Sequence, residues 1–89
     1  MVWVLNRIEV NDYAQWRDYF DRGKPLRESW GQVSQTIYRE GSEPTSVVVL
    51  LEWDDAERAR KFFQSEEFQK RTEEAGVKLV LENLVLEKV

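Results

Sequence analysis

The stretch Ser46-Val47-Val48-Val49-Leu50-Leu51-Glu52-Trp53-Asp54-Asp55 constrains this chain more than any other. Its unbroken block of branched aliphatics is too short for a helix, and it ends in a tryptophan and two aspartates. Such a run reads as a strand covered on both faces. The rest of the chain must supply two covers. Helices from the same chain are expected to supply one, and a second copy of the chain the other.

At 89 residues the chain reads as one domain spanning 1–89. Folding at this size removes only roughly 60 to 65% of the surface that the extended chain exposes, so a lone monomer would be marginal. The sequence has no cysteine and no histidine, which rules out disulfides and leaves only carboxylate and carbonyl oxygens for a metal. Oligomerisation is the remaining source of stability. The formal net charge of −4, with no local basic patch, disfavours nucleic acid and anionic membrane surfaces as partners. Met1 to Arg7 is apolar for only a few residues and lacks the features of a signal peptide, and no run approaches the ~20 residues that span a bilayer. The expectation is a cytoplasmic protein with no membrane partner.

Along the chain, Val2, Val4, Ile8 and Val10 alternate with Trp3, Leu5, Arg7 and Glu9, a first strand whose even face is apolar except for Asn6. Asn11 or Asp12 can cap a helix in which Tyr13, Trp16 and Phe20 form one apolar stripe. Gly23 and Pro25 break it, and Leu26 to Trp30 completes the crossover before Gly31. Residues 32–39 read as a polar edge strand, and residues 40–45 as a turn leading into the central strand. Asp54 with Glu57 reads as a capping box for a second helix whose buried face is Ala59, Phe62 and Phe63. Ser65 restarts that helix, Gly76 closes it, and residues 78–89 form the last strand. On the restarted segment, Glu66 with Lys70 and Lys70 with Glu74 are i,i+4 pairs.

This order is the ferredoxin-like βαββαβ pattern: an α+β fold with a four-stranded antiparallel sheet, its first and third strands central, and two helices on one face. The other face would carry valines and leucines from three strands. An exposed apolar patch of that kind exceeds the few hundred Å² typical of monomers, so face-to-face pairing into a homodimer is expected.

Laid out this way, the chain resembles the dimeric α/β-barrel superfamily, in particular its branch of antibiotic-biosynthesis-type and haem-degrading monooxygenases. The resemblance rests on Asn6-Arg7-Ile8 in the first strand, and on Trp53-Asp54-Asp55, Ala59, Phe63, Ser65 and Phe68 across the third strand and second helix. It implies a dimeric α/β barrel. In haem-degrading members an asparagine, a tryptophan and a histidine line the cavity. The matching positions here are Asn6, Trp53 and Thr72. Threonine cannot serve as a proximal ligand to haem iron, so haem degradation is disfavoured. The cofactor-free relatives oxidise electron-rich aromatic compounds with molecular oxygen, the substrate's own carbanion serving as reductant. That chemistry requires no cofactor and is compatible with this composition.

Asn6 and Trp53 are therefore the candidate catalytic residues of a monooxygenase-like enzyme acting on a small hydrophobic or aromatic molecule. Tyr38, Arg39 and Arg7 could orient an acidic phenol or enolate, because they donate hydrogen bonds to a developing oxyanion. Thr72 joins them as a substrate-binding candidate. The bland alternatives are a backbone or water bond for Asn6, a core or interface anchor for Trp53, and solvated charge for the rest. A non-catalytic ligand-binding or interaction module on the same scaffold is the competing function.

Overall fold

The computed structural model describes Met1–Val89. Its elements are β1 (Val2–Val10), α1 (Tyr13–Arg22), α2 (Lys24–Trp30), β2 (Gln32–Glu40), β3 (Glu43–Trp53), α3 (Ala56–Gln64), α4 (Glu66–Glu74) and β4 (Val77–Leu86). The antiparallel sheet runs β2-β3-β1-β4, so the two most apolar strands are central, as expected. Each crossover is a helix broken in two rather than a single rod. No helix is long and apolar enough to cross a membrane.

Local chemistry fixes the breaks. The Asp12 carboxylate accepts from the Gln15 N–H at 2.9 Å and starts α1. Pro25 sits in the first turn of α2, where its missing N–H costs little, so this helix begins at Lys24 rather than Leu26. Gly31 ends α2 at φ 116°, a left-handed geometry, and a Cβ there would also collide with the Asp54 carboxylate. Ser65 caps α4 by accepting from Phe68 N–H at 3.1 Å.

The second crossover corrects two expectations. Asp55, not Asp54, caps α3, accepting from Arg58 N–H at 3.1 Å. Asp54 is held back by its own N–H, which donates to Gly31 O at 2.9 Å, and its carboxylate pairs with Arg58 at 2.7 Å. The box with Glu57 therefore does not form. Neither the Glu66–Lys70 nor the Lys70–Glu74 pair forms either; Glu74 instead accepts a hydrogen bond from the Tyr19 hydroxyl.

Register decides the core. Val4 lies opposite Leu51, Asn6 opposite Val49 and Ile8 opposite Val47, which turns the even residues of β1 and the odd residues of β3 toward the helices. Val4, Val47, Leu51 and Trp53 are almost wholly buried there. Trp53 is clasped by the rings of Phe62 and Phe63, at centroid distances of 5.4 and 5.6 Å. The opposite sheet face carries Trp3, Leu5, Val48 and Leu50, flanked by Leu84 and Leu86, with no helix over it. Edge strand β4 is exposed along both faces, Leu79 and Val80 by more than half.

Trp53 is expected to behave as a packing residue with one defect, since its indole Nε1 is buried without a partner. Trp53→Ala should cost about 3 to 5 kcal/mol in urea unfolding at fixed protein concentration. Trp53→Phe should cost much less, because it removes the orphan donor along with part of the ring.

Candidate functional site

A cavity of about 90 Å³ lies between the helix-facing side of the sheet and the helices. Asn6, Ile8, Val49 and Leu51 form its floor. Its walls are aromatic: Trp16 and Phe20 from α1, Phe62 and Phe63 from α3, and Phe68 from α4. Trp16 stacks on Phe20 at 4.9 Å and Phe63 meets Phe68 edge-on at 4.9 Å, so these walls are braced by ring contacts. Half-exposed Val80 forms part of the rim on the β4 side.

Asn6 stands on the apolar side of β1 between Val4 and Ile8, and is 9% exposed. Its side-chain oxygen Oδ1 is buried and accepts no hydrogen bond. A buried acceptor left open typically costs on the order of 1 to 3 kcal/mol. An incoming O–H or N–H donor would recover that cost. Thr72 lines the same cavity, but its hydroxyl donates to Phe68 O at 2.8 Å, a helix back-bond that leaves only lone pairs for a ligand.

Two arginines complete the lining. Arg27 is 6% exposed, and its guanidinium donates to Gln32 Oε1 at 2.6 Å, Phe20 O at 2.8 Å and Gln35 Oε1 at 2.8 Å while lying over the Phe20 ring at 3.7 Å. All three acceptors are neutral. Burial, with repulsion from Arg71 adding to it, pulls the Arg27 pKa down to about 10, so the group stays charged at neutral pH. Arg71, half-buried on α4, lies 4.8 Å from the centroid of the Tyr19 ring. The hydrogen bond to Glu74 raises the Tyr19 pKa and keeps its hydroxyl protonated.

Of the residues singled out from the sequence, the structure brings Asn6 and Thr72 together in this cavity. Trp53 lies beside it in the core and is not part of the lining. Tyr38 faces the uncovered side of the sheet opposite Val48 and is 57% exposed. Arg7, on that same side, pairs with Glu82 at 3.2 Å. Arg39 sits at the β2 edge over the Tyr13 ring at 4.5 Å. Sequence reasoning missed Arg27 and Arg71. A signal existed for Arg71: with Phe68, Thr72 and Ala75 it occupies the i, i+3, i+4, i+7 face of α4, which is the face turned inward.

The fold can be set beside solved structures. A protein from Bordetella bronchiseptica, provisionally named an antibiotic biosynthesis monooxygenase, superposes with a TM-score of 0.81 at 17% identity, over 99% of this chain and 96% of that one. SnoaB, a cofactor-independent oxygenase from Streptomyces nogalater, superposes with a TM-score of 0.81 at 21% identity, over 99% and 92%. A Deinococcus radiodurans protein, also provisionally named an antibiotic biosynthesis monooxygenase, gives 0.74 at 13%, over 100% and 93%. At such identities the likeness is one of fold: this is the ferredoxin-like α+β architecture of the antibiotic-biosynthesis-monooxygenase type. No curated protein matches the sequence. The family described as Domain of unknown function (DUF1330) matches residues 1–89, and the chain belongs to it.

If the open acceptor on Asn6 is kept for a ligand, it is a cost to the unliganded protein. Asn6→Leu, similar in volume, is expected to raise stability by about 1 kcal/mol. The readout is a melting temperature higher by roughly 4 to 8 °C for a domain of this size. An unchanged or lower melting temperature would show that Oδ1 is satisfied in solution.

Proposed function

We propose that the chain acts as a homodimeric, single-domain cytoplasmic protein whose cavity takes in a small, mainly apolar molecule bearing a hydroxyl group and oxidises it with molecular oxygen, without a cofactor. The observation that carries this reading is the open Oδ1 of Asn6 on the floor of an otherwise hydrocarbon and aromatic cavity. A donor hydroxyl on the ligand would pair with it, and the aromatic walls would hold the ligand body. At about 90 Å³ the space is far below the roughly 300 Å³ at the lower end for drug-sized ligands, which favours a one-ring or short-chain molecule over a fused polycycle.

The reaction class is supported by the resemblance in Asn6 and Trp53 and by the name of SnoaB as a cofactor-independent oxygenase. In such a step a substrate carbanion supplies the electrons, and a CH₂ group plus O₂ becomes a carbonyl group plus water. Asn6 would position the hydroxyl next to the reacting carbon. Trp53 would act indirectly, by fixing Phe62 and Phe63 behind the ligand.

A second reading is binding without turnover. The position of Trp53 outside the cavity lining favours it, because only Asn6 of the two candidate catalytic residues would then touch a ligand. Oxygen uptake with a one-ring enol that carries an acidic CH₂, cyclohexane-1,3-dione, separates the two. The oxygenase reading expects uptake above the spontaneous rate, reduced at least tenfold in Asn6→Leu. Saturable binding with no uptake would leave the binding module, and neither binding nor uptake would contradict both.

A further inference from the structure

Five arginines of this acidic chain have each found a carboxylate: Arg7, Arg17, Arg22, Arg58 and Arg60. Arg27 and Arg71 have not, although both line the cavity. Arg27 is the more telling of the two. Its bonds to Gln32, Gln35 and the Phe20 carbonyl orient the guanidinium without neutralising it, and of its five N–H donors they use three. One N–H on each terminal nitrogen remains open. Asp21 and Glu28 act on it only at a distance, with no carboxylate in contact, and a buried cation so placed is costly and in proteins is normally paired or used.

The two cations converge. A Cβ built on Gly23 would lie 2.8 Å from Arg71 Nη2 and 3.1 Å from Arg27 Nη1, so these nitrogens are within about 6 Å of each other over a bare stretch of backbone. One carboxylate can bridge that gap, with a charge-assisted hydrogen bond of roughly 2.8 Å to each side. Arginine suits this task because its planar fork keeps its charge at any physiological pH. The aromatic walls select against a bare inorganic anion, whose remaining oxygens would face rings with no donors.

We propose that the ligand of this cavity is a small hydroxylated organic acid, its carboxylate seated between Arg27 and Arg71 over Gly23 and its hydroxyl on Asn6 Oδ1. This deepens the reading of the cavity as a ligand site and rests on it. The binding energy divides between a charged end, where half-buried Arg71 meets solvent, and an apolar body against Phe20, Phe62 and Phe68.

The probe pair is 4-hydroxybenzoate and 4-hydroxybenzamide, which differ in charge and little in shape, measured by isothermal titration at low salt. The wild-type protein is expected to bind the acid at least tenfold more tightly than the amide. Arg71→Gln, at a half-buried position, should reduce the affinity for the acid about tenfold and leave the amide unchanged, with Arg71→Lys in between. Gly23→Ala should weaken the acid selectively by pushing Arg71 aside. Circular dichroism on each variant confirms that the fold is retained. Equal affinity for acid and amide would overturn the carboxylate site while leaving the cavity as a ligand site. An acid preference that survives both Arg71→Gln and Gly23→Ala would place the anion elsewhere and overturn it too. Binding of neither probe by the wild type would count against both the carboxylate site and the cavity's role.

Discussion

The structure depends on apolar surface on both sides of β1 and β3, with helices for only one side. Val4, Val47, Val49, Leu51 and Trp53 disappear beneath α1 to α4. Trp3, Leu5, Val48 and Leu50 alternate with them and have no such cover. A pleated strand sends neighbouring side chains to opposite faces, so no shift of register could bury both sets under one helical layer. Each branched aliphatic side chain left in water forgoes roughly 1.5 to 3 kcal/mol of burial. A small domain without disulfides has little margin to leave that uncollected.

The covered side shows the opposite economy. There the chain tolerates an open amide oxygen on Asn6, an unpartnered indole N–H on Trp53 and a buried guanidinium on Arg27 with only neutral acceptors. Two of these three groups line the same cavity. Polar groups placed at the expense of stability, and grouped around a hollow with aromatic walls, are what supports the proposed binding site. Trp53, the third, lies behind the wall and shapes the site through Phe62 and Phe63.

Much of this was legible in the sequence, for reasons that differ from element to element. Periodicity revealed β1, β3 and the helical stripes, since Val47 to Leu51 and the Trp16–Phe20 spacing permit few alternatives. The Asn6 position was legible as a lone amide in an aliphatic face. The cap on α3 was misplaced by one residue because Asp54 and Asp55 look alike until the Gly31 carbonyl claims the Asp54 N–H. Tyr38, Arg39 and Arg7 stand out in the sequence as substrate-binding candidates because all three can donate to an oxyanion. Alternation shows which residues share a face but not which face the helices cover, and that face excluded Tyr38 and Arg7 from the cavity. Arg27 was hidden by the Gly23–Pro25 break, which interrupts the helical phase that would have placed it below Phe20.

The central claim is that the uncovered face is matched by its counterpart on a second copy of the chain. Sedimentation equilibrium at micromolar concentration tests it without a ligand or a label. The account predicts a single folded species of twice the 10.6 kDa chain mass, driven to a monomer when Leu50, in the middle of that face, becomes lysine. A well-folded species of 10.6 kDa, with Trp3 fluorescing as a water-exposed indole, would contradict it.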